Sequence, residues 1–368
     1  MHITQLRMHN FRNFPSLKLQ PNDSLNLIYG DNGAGKSSIL EAIHVLGYGR
    51  SFRTNKSDNL IHYETPSSES ATVFSNFKDE QQGDSVLGFS RNKLEGFVFN
   101  INGEKSKRIG DMVRKLPVQI FTPQSSELVT GAPITRRKYI DWLLFHVEHQ
   151  FHNISSAYNK ALLQRNALLK LNQNAPIERF VQQDAWSQYI VSKGESIDKL
   201  RKHYISLLND ELKALYNEFN PEINVEIRYN QGWERDTSLS DAMESKLDRD
   251  LFRGHTTIGP HKADLNILVN GKSAAEFLSR GQLRVLVSLL LIAEVKLLKG
   301  RSNKTCIFLV DDISAELDEK TRLFFLDKAI ESSSQLFVTA IEKQQLSFAD
   351  AYNNKKVFHV KHDRVFEE

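Results

Sequence analysis

The 368-residue sequence predicts an α/β fold: a mixed sheet covered by helices, with a helical insertion inside it. Three observations carry that expectation. An apolar run, "NLIY" at 26–29, gives way to a glycine-rich loop and then to a helical pattern. A second apolar run, "CIFLV" at 306–310, ends in Asp311-Asp312. Between them, from about 133 to 220, apolar residues recur at steps of three and four, the spacing of helices rather than strands.

Taken in order, the chain opens with short apolar runs separated by polar breaks, "ITQLRM", "SLKL" and "SLNLIYG", which read as strands. The third leads into Gly30, Asp31, Asn32, Gly33, Ala34, Gly35, Lys36 and Ser37, followed by Ser38 and an amphipathic pattern. That string satisfies G-x-x-x-x-G-K-[ST] in the strand–loop–helix context the motif requires. Glycines let successive N–H groups turn inward, the helix N-terminus adds partial positive charge, and a lysine reaches terminal phosphates. Ser37 is the expected ligand of a Mg²⁺ ion. The serine- and acid-rich stretch at 65–85 reads as a surface loop. Asn102-Gly103 and Asn270-Gly271, each after an alternating or apolar run, predict tight hairpins.

From Pro133 the period becomes helical: Ile140, Leu144, Val147, Phe151, Ile154, Tyr158, Ala161 and Leu168 form a heptad stripe broken only by Arg165. "NQNAP" at 172–176 interrupts it, and Trp186, Ile190, Lys193, Ile197, Leu200, Tyr204, Leu207 and Ala214 resume it. Two helices joined by a short turn pack antiparallel, which predicts a hairpin arm projecting roughly 50 Å at 1.5 Å per residue. A compact helical subdomain is the alternative. "INVEIRY" at 223–229 then returns the chain to sheet. The expected division is residues 1–132, a 133–220 arm, and a returning part at 221–368.

In the returning part, "FLSRGQLRVLVSLLLIAEV" places Ser279 and Gly281 at the start of a long apolar helix. A hydroxyl and free N–H groups at a helix N-terminus suit a second anion. "TCIFLVDDISAELD" follows, its paired acids suited to a metal-water contact and to polarising an attacking water. Lys36 and Asp311 lie 275 positions apart, farther than compact GTPases and small-molecule kinases place them.

Composition sets the remaining bounds. Forty-eight Lys and Arg against 45 Asp and Glu leave a formal charge of +3, so any polyanion surface must be a local patch. The single cysteine, Cys306, cannot form an internal disulfide and fits a buried thiol in a reducing compartment. No secretory signal is visible, and "VLVSLLLIA" at 285–293 is too short to span a bilayer, which predicts a soluble, cytoplasmic protein without a membrane partner. No zinc spacing, recognition-helix signature, Ser-His-Asp or Cys-His arrangement is present.

The order of phosphate loop, long insertion, Ser-x-Gly-Gln, acidic strand and "AELD" resembles the ABC-type ATPase heads of the SMC-like group. "LRMHNFRNF", "GRSFRT" at 49–54, "TPQSSELVTGAPITRRKYIDW" at 122–142 and "RGHTTIGPHKADL" at 253–265 narrow the resemblance to the RecF family. The resemblance implies a P-loop ATPase head with an inserted antiparallel helical hairpin. It implies ATP and Mg²⁺ held between two copies, the phosphate loop of one facing Ser279, Arg280, Gly281 and Gln282 of the other. In that scheme Asp311 assists Mg²⁺, Asp312 is the catalytic base, Asp318 lies near the dimer seam, and Arg12 and Gln124 approach the nucleotide or its metal-bound water. Asp312 stands where many relatives have Glu, and Thr339 takes what looks like the switch-histidine position, so the implied ATPase is slow. The implied role is a dimeric clamp on double-stranded or gapped DNA in recombination repair, nucleoid-associated, working with RecO and RecR to load RecA. Arg50, Arg53, Lys56, Lys105, Lys107, Arg108, Arg136, Arg137 and Lys138 are the candidate phosphate contacts. A chromosome-organising SMC-like subunit and the ATPase of a transporter or nuclease are the alternatives.

Overall fold

A computed structural model describes residues 1–66, 68–79, 83–94, 96–106, 108–173 and 176–368; Lys107 lies outside them. The chain divides into two compact units, Met1–Ser125 with Arg280–Glu368, and Ser126–Ser279. The first unit begins with strands β1 (His2–Phe11), β2 (Phe14–Leu19) and β3 (Leu25–Tyr29), then helix α1 (Lys36–Tyr48). Strands β4 (Ser70–Lys78), β5 (Ser85–Asn92), β6 (Gly96–Ile101) and β7 (Glu104–Ser106), helix α2 (Ile109–Lys115) and strand β8 (Val118–Phe121) follow. The second unit contains α3 (Glu127–Thr130), α4 (Pro133–Val147), α5 (Phe151–Leu171), α6 (Ile177–Gln183), α7 (Ser187–Phe219), β9 (Val225–Asn230), α8 (Leu239–Ser245), α9 (Leu247–Arg253), β10 (Asp264–Val269), β11 (Lys272–Ser273) and α10 (Ala274–Phe277). The chain re-enters the first unit through α11 (Arg280–Ser302), β12 (Ile307–Val310), α12 (Ile313–Glu316), α13 (Glu319–Ser332), β13 (Gln335–Ala340), β14 (Lys355–Lys361) and β15 (Arg364–Glu367).

The first unit holds two six-stranded sheets. One runs β15-β14-β3-β13-β12-β8, parallel from β14 to β8. Its central strands are near-continuous apolar runs, with Leu27, Ile28, Ile307 to Val310 and Leu336 to Val338 all buried, as a sheet covered on both faces requires. The other runs β2-β1-β4-β5-β6-β7, antiparallel throughout. It alternates instead: Ala71, Val73 and Phe77 are buried, while Phe74, Asn76 and Lys78 are exposed. That alternation corrects the surface-loop expectation for 65–85, since β4 occupies its middle. Both Asn-Gly hairpins form as expected. Asn102 and Gly103 join β6 to β7 with φ of 53° and 86°, and Asn270 and Gly271 join β10 to β11 with 49° and 77°, positive at both positions as a type I′ turn demands.

The second unit departs from the expected arm in three respects. Its first helix breaks at 148–150 into α4 and α5. Helices α5 and α7 do form an antiparallel pair, Arg165 meeting Ser187 and Tyr158 meeting Gly194, but they do not stand alone. A Cβ on Gly194 would strike Leu239 at 2.6 Å, so α7 is packed on other elements of the unit as well as on α5. The unit also continues to 279 rather than 220, because its small sheet, β11-β10-β9, is tied to its helices. Asn209 on α7 exchanges two hydrogen bonds with the backbone of Ile227 on β9, and Arg136 on α4 pairs with Asp264 on β10. The compact alternative describes this unit. The buried stripe along α7 keeps the alternating four-and-three steps through Ile190, Gly194, Ile197, Arg201, Tyr204 and Leu208, then shifts by an extra residue to Leu212 and Leu215, leaving Ala214 exposed.

Candidate nucleotide site and signature helix

The parallel sheet brings four chemical groups to the C-terminal ends of neighbouring strands, where α/β sheets bind ligands. Strand β13 lies between β3 and β12, so Thr339 near its end sits between the phosphate loop after β3 and the acids after β12. The loop's geometry depends on glycine. Gly35 adopts φ 111° and a Cβ there would lie 2.7 Å from the Phe14 ring, while a Cβ on Gly30 would lie 2.2 Å from the Val360 carbonyl oxygen. Helix α1 starts at Lys36 with no side-chain cap, so the loop and first turn meet an anion with bare N–H groups and the positive dipole end.

Lys36 Nζ donates to the carbonyls of Gly30 at 2.6 Å and Asp31 at 3.0 Å. Burial lowers its pKa, opposed by the negative charges of Asp312, Asp311 and Asp31. Ser37 Oγ donates to Asp311 Oδ1 at 2.9 Å, and Thr339 Oγ1 donates to the same oxygen at 2.9 Å while accepting from Asp312 N at 2.8 Å. Burial raises the Asp311 pKa, and the Ser37 and Thr339 hydroxyls pull it back. Asp312 takes a left-handed conformation at φ 54°, with one carboxylate oxygen, Oδ1, buried and unpartnered. Thr339 thus fixes both acids, but its hydroxyl does not titrate near neutrality as an imidazole does.

These groups line a cleft of about 210 Å³ with Asn13, Asn32, Gly33, Gly35, Ser38, Arg53, Pro123 and Ile341. The hard oxygens of Ser37 and Asp311 fit Mg²⁺, which uses few protein ligands and takes the rest from phosphate and water. Among the described residues no group of three or more His, Cys, Asp or Glu could hold a metal by itself. Ser279, Arg280, Gly281 and Gln282 are all exposed, with open space around Gly281, and neither Arg280, Gly281 nor Gln282 lines the cleft.

The family described as RecF/RecN/SMC N terminal domain matches residues 2–365. The DNA replication and repair protein RecF of Pseudoalteromonas atlantica is 45% identical over 368 residues, covering all of both chains. The protein of that name from Shewanella denitrificans is 39% identical over 365 residues, covering 99% of each. The chain belongs to the RecF family. Among solved structures, the recombination mediator protein RecF with ATP superposes with TM-score 0.86 at 26% identity, covering all of this chain and 97% of that one. An Smc head bound to the C-winged helix domain of ScpA matches with TM-score 0.59 at 15% identity over 100% and 98% of the chains, a likeness of fold. The ABC-type head expected from the motifs is therefore the fold.

Three further residues named by the RecF resemblance, Arg12, Gln124 and Asp318, do not line the cleft. Arg12 turns to Glu41, giving Nε to Oε2 at 2.7 Å and Nη2 to Oε1 at 2.5 Å, and the residue of that loop in the cleft wall is Asn13, whose amide donates to Gly33 O. Gln124 is exposed on the turn beside Pro123. Asp318 caps α13, accepting from Thr321 N and Oγ1, and the first of those bonds chiefly lowers its pKa. Two cations offered for DNA belong to the scaffold instead. Arg136 is bound to Asp264 and the carbonyls of Val129 and Gly131, and Arg137 to Ala263 O. Arg53 lines the nucleotide cleft. Its block "GRSFRT" was visible in the sequence, but only packing shows which way that loop faces.

Proposed function

We propose that this RecF-family chain is an ATP-dependent DNA-binding protein of replication and repair, two copies of which enclose ATP as a gated clamp. The observation that carries the reading is the unfinished cleft. Its 210 Å³ is below the roughly 300–1,000 Å³ of a closed ligand pocket, and the signature residues that would complete it face solvent. A second copy, offering Ser279 to Gln282, supplies the missing wall.

In the chemistry this supports, Lys36 leaves the Gly30 and Asp31 carbonyls for the terminal phosphates. Ser37 and Asp311 would hold Mg²⁺, which supplies charge neutralisation on the phosphate oxygens. Asp312 takes a proton from water as its oxygen bonds to the γ-phosphorus and the bond to the ADP oxygen breaks, giving ADP and phosphate. The shorter reach of Asp312 and the non-titrating Thr339 favour a weak hydrolysis, and the clamp reading adds that DNA stimulates it.

For DNA, the outer face of the antiparallel sheet is the supporting surface. Lys18, Arg7, Phe74, Gly88, Asn100 and Lys105 stand in one cross-strand row, about 24 Å wide at ~4.8 Å per strand. Glu104, the acid of those six strands, is in register with Ile101, Leu87 and Leu6 on the other face. A cationic face with no Asp or Glu among its described strand residues suits duplex phosphates and shape rather than base edges. The proposed setting is gapped DNA in the cytoplasmic nucleoid, with RecR and RecO as partners and RecA loading as the outcome. Filter retention of gapped, duplex and single-stranded DNA with ATP, ADP or no nucleotide tests it. We expect ATP to raise retention of duplex-containing DNA; retention indifferent to nucleotide would refute the clamp.

A further inference from the structure

Glu41 lies on α1, five residues past Lys36, and is fully buried, with its carboxylate facing two separate loops. Arg12 takes it in bidentate fashion, and Ser51 Oγ donates to Oε1. Arg53 Nη1 stands 3.7 Å from Oε2, beyond hydrogen-bond length. The contrast separates the two arginines. Arg12 is held by two hydrogen bonds at 15% side-chain exposure, whereas Arg53, at 46%, faces the carboxylate by charge alone. Its guanidinium also acts on Asp311 across the cleft it lines.

The backbone beneath Arg53 is held firmly. Ser51 Oγ, while donating to Glu41, accepts from the N–H groups of Arg53 at 2.9 Å and Thr54 at 3.0 Å. Glu41 therefore anchors the 51–54 backbone to the phosphate-loop helix while leaving the Arg53 head free to turn. We propose that Glu41 is a positioning residue: it keeps Arg53 loaded beside the cleft, so that a terminal phosphoryl group draws the guanidinium off the carboxylate and ATP is bound in preference to ADP. This rests on the nucleotide reading above. A charge-assisted bond made only to the triphosphate is a source of that preference, and a loop set adrift from α1 makes it poorly.

The test compares ATP and ADP affinity, by equilibrium dialysis on the full chain, for wild type, Glu41→Gln, Glu41→Asp, Arg53→Ala and the Glu41→Gln/Arg53→Ala double variant, with thermal midpoints alongside. The expected result is an ATP-over-ADP ratio cut in Glu41→Gln, which loses the charge facing Arg53 but keeps an oxygen for Ser51. The ratio is cut further, roughly tenfold, in Glu41→Asp, whose shorter side chain also loses the Ser51 anchor, with ADP affinity unchanged in both and no cut in the double variant beyond that of Arg53→Ala. A purely structural Glu41 would lower both affinities and the midpoint together. If Glu41→Gln does not fold, Ser51→Ala breaks the same path with the ion pair intact and is expected to cut the ratio alike. An unchanged ratio, or losses that multiply in the double variant, overturns the positioning role while leaving ATP binding in place. Wild type that binds neither nucleotide overturns the nucleotide reading itself.

Discussion

Around the nucleotide cleft Lys36 and Arg53 are held by contacts that an arriving anion can replace, whereas in the inserted unit the principal arginines are locked to their own scaffold. Lys36 rests on two backbone carbonyls and Arg53 on a 3.7 Å charge contact. Arg165, only 1% exposed, instead donates to Ser187 Oγ, Asp250 Oδ2 and Thr256 Oγ1, and Asp250 in turn accepts from Thr257 N and Oγ1. Arg201 forks onto Asp141 and donates to Pro260 O. The difference teaches how to sort cations that look alike in a sequence. A cation whose donors are met by fixed carboxylates on other elements holds a fold, and one resting on loop carbonyls near a helix N-terminus is available to a ligand.

Removing the replaceable contact should give the largest effect on function and the smallest on folding. Lys36→Met is expected to abolish ATP-induced association in analytical ultracentrifugation while moving the unliganded thermal midpoint by no more than a few degrees. Undiminished association would end the assignment of Lys36 to the phosphates. A collapse of the midpoint would erase the contrast between the two units.

The reverse substitution belongs in the insert. Arg165→Leu leaves Asp250 buried without its countercharge, an arrangement that costs about 3–5 kcal/mol. Urea unfolding should show that loss, with nucleotide affinity of the folded fraction retained. A cost below about 1 kcal/mol would mean that the network is not what holds α5 to α9.

That arginine also marks the limit of what the sequence discloses. Arg165 reads as the one fault in a heptad stripe, yet it donates three side-chain hydrogen bonds, and its carboxylate partner is 85 positions away. Local signals were legible: Gly30 to Ser37, the acids after β12 and both Asn-Gly turns each depend on a few adjacent residues. The small sheet was legible as strands but not as part of the insert, since its membership is decided by Asn209 and Arg136 reaching across the unit. Arg136 and Arg137 have the composition of a DNA contact, and only their carboxylate and carbonyl partners within the unit show a scaffold role. Glu41 carried no signal, because an acid on a helix after a phosphate loop looks like an ordinary solvated position.

Glu294 tests whether an unfilled valence in the nucleotide unit always points to a ligand. It sits on α11, fully buried, accepting from Gln119 Nε2 at 2.5 Å through Oε2 while Oε1 has no partner. Burial raises its pKa well above the usual carboxylate range, only partly countered by the Gln119 bond. The folded chain then keeps a proton that the unfolded chain releases above about pH 4.3, so stability is fully present below that pH and is lost as pH rises toward the folded pKa. The loss from this group approaches 1.36 kcal/mol per pH unit in that window. Glu294→Gln, which supplies a neutral side chain of the same shape, should flatten the fall of the thermal midpoint between pH 6 and 8 and leave ATP-induced association intact. Equal slopes in the two proteins would mean that Glu294 is ionised in the fold, and the open oxygen would then need a cation or water beside it.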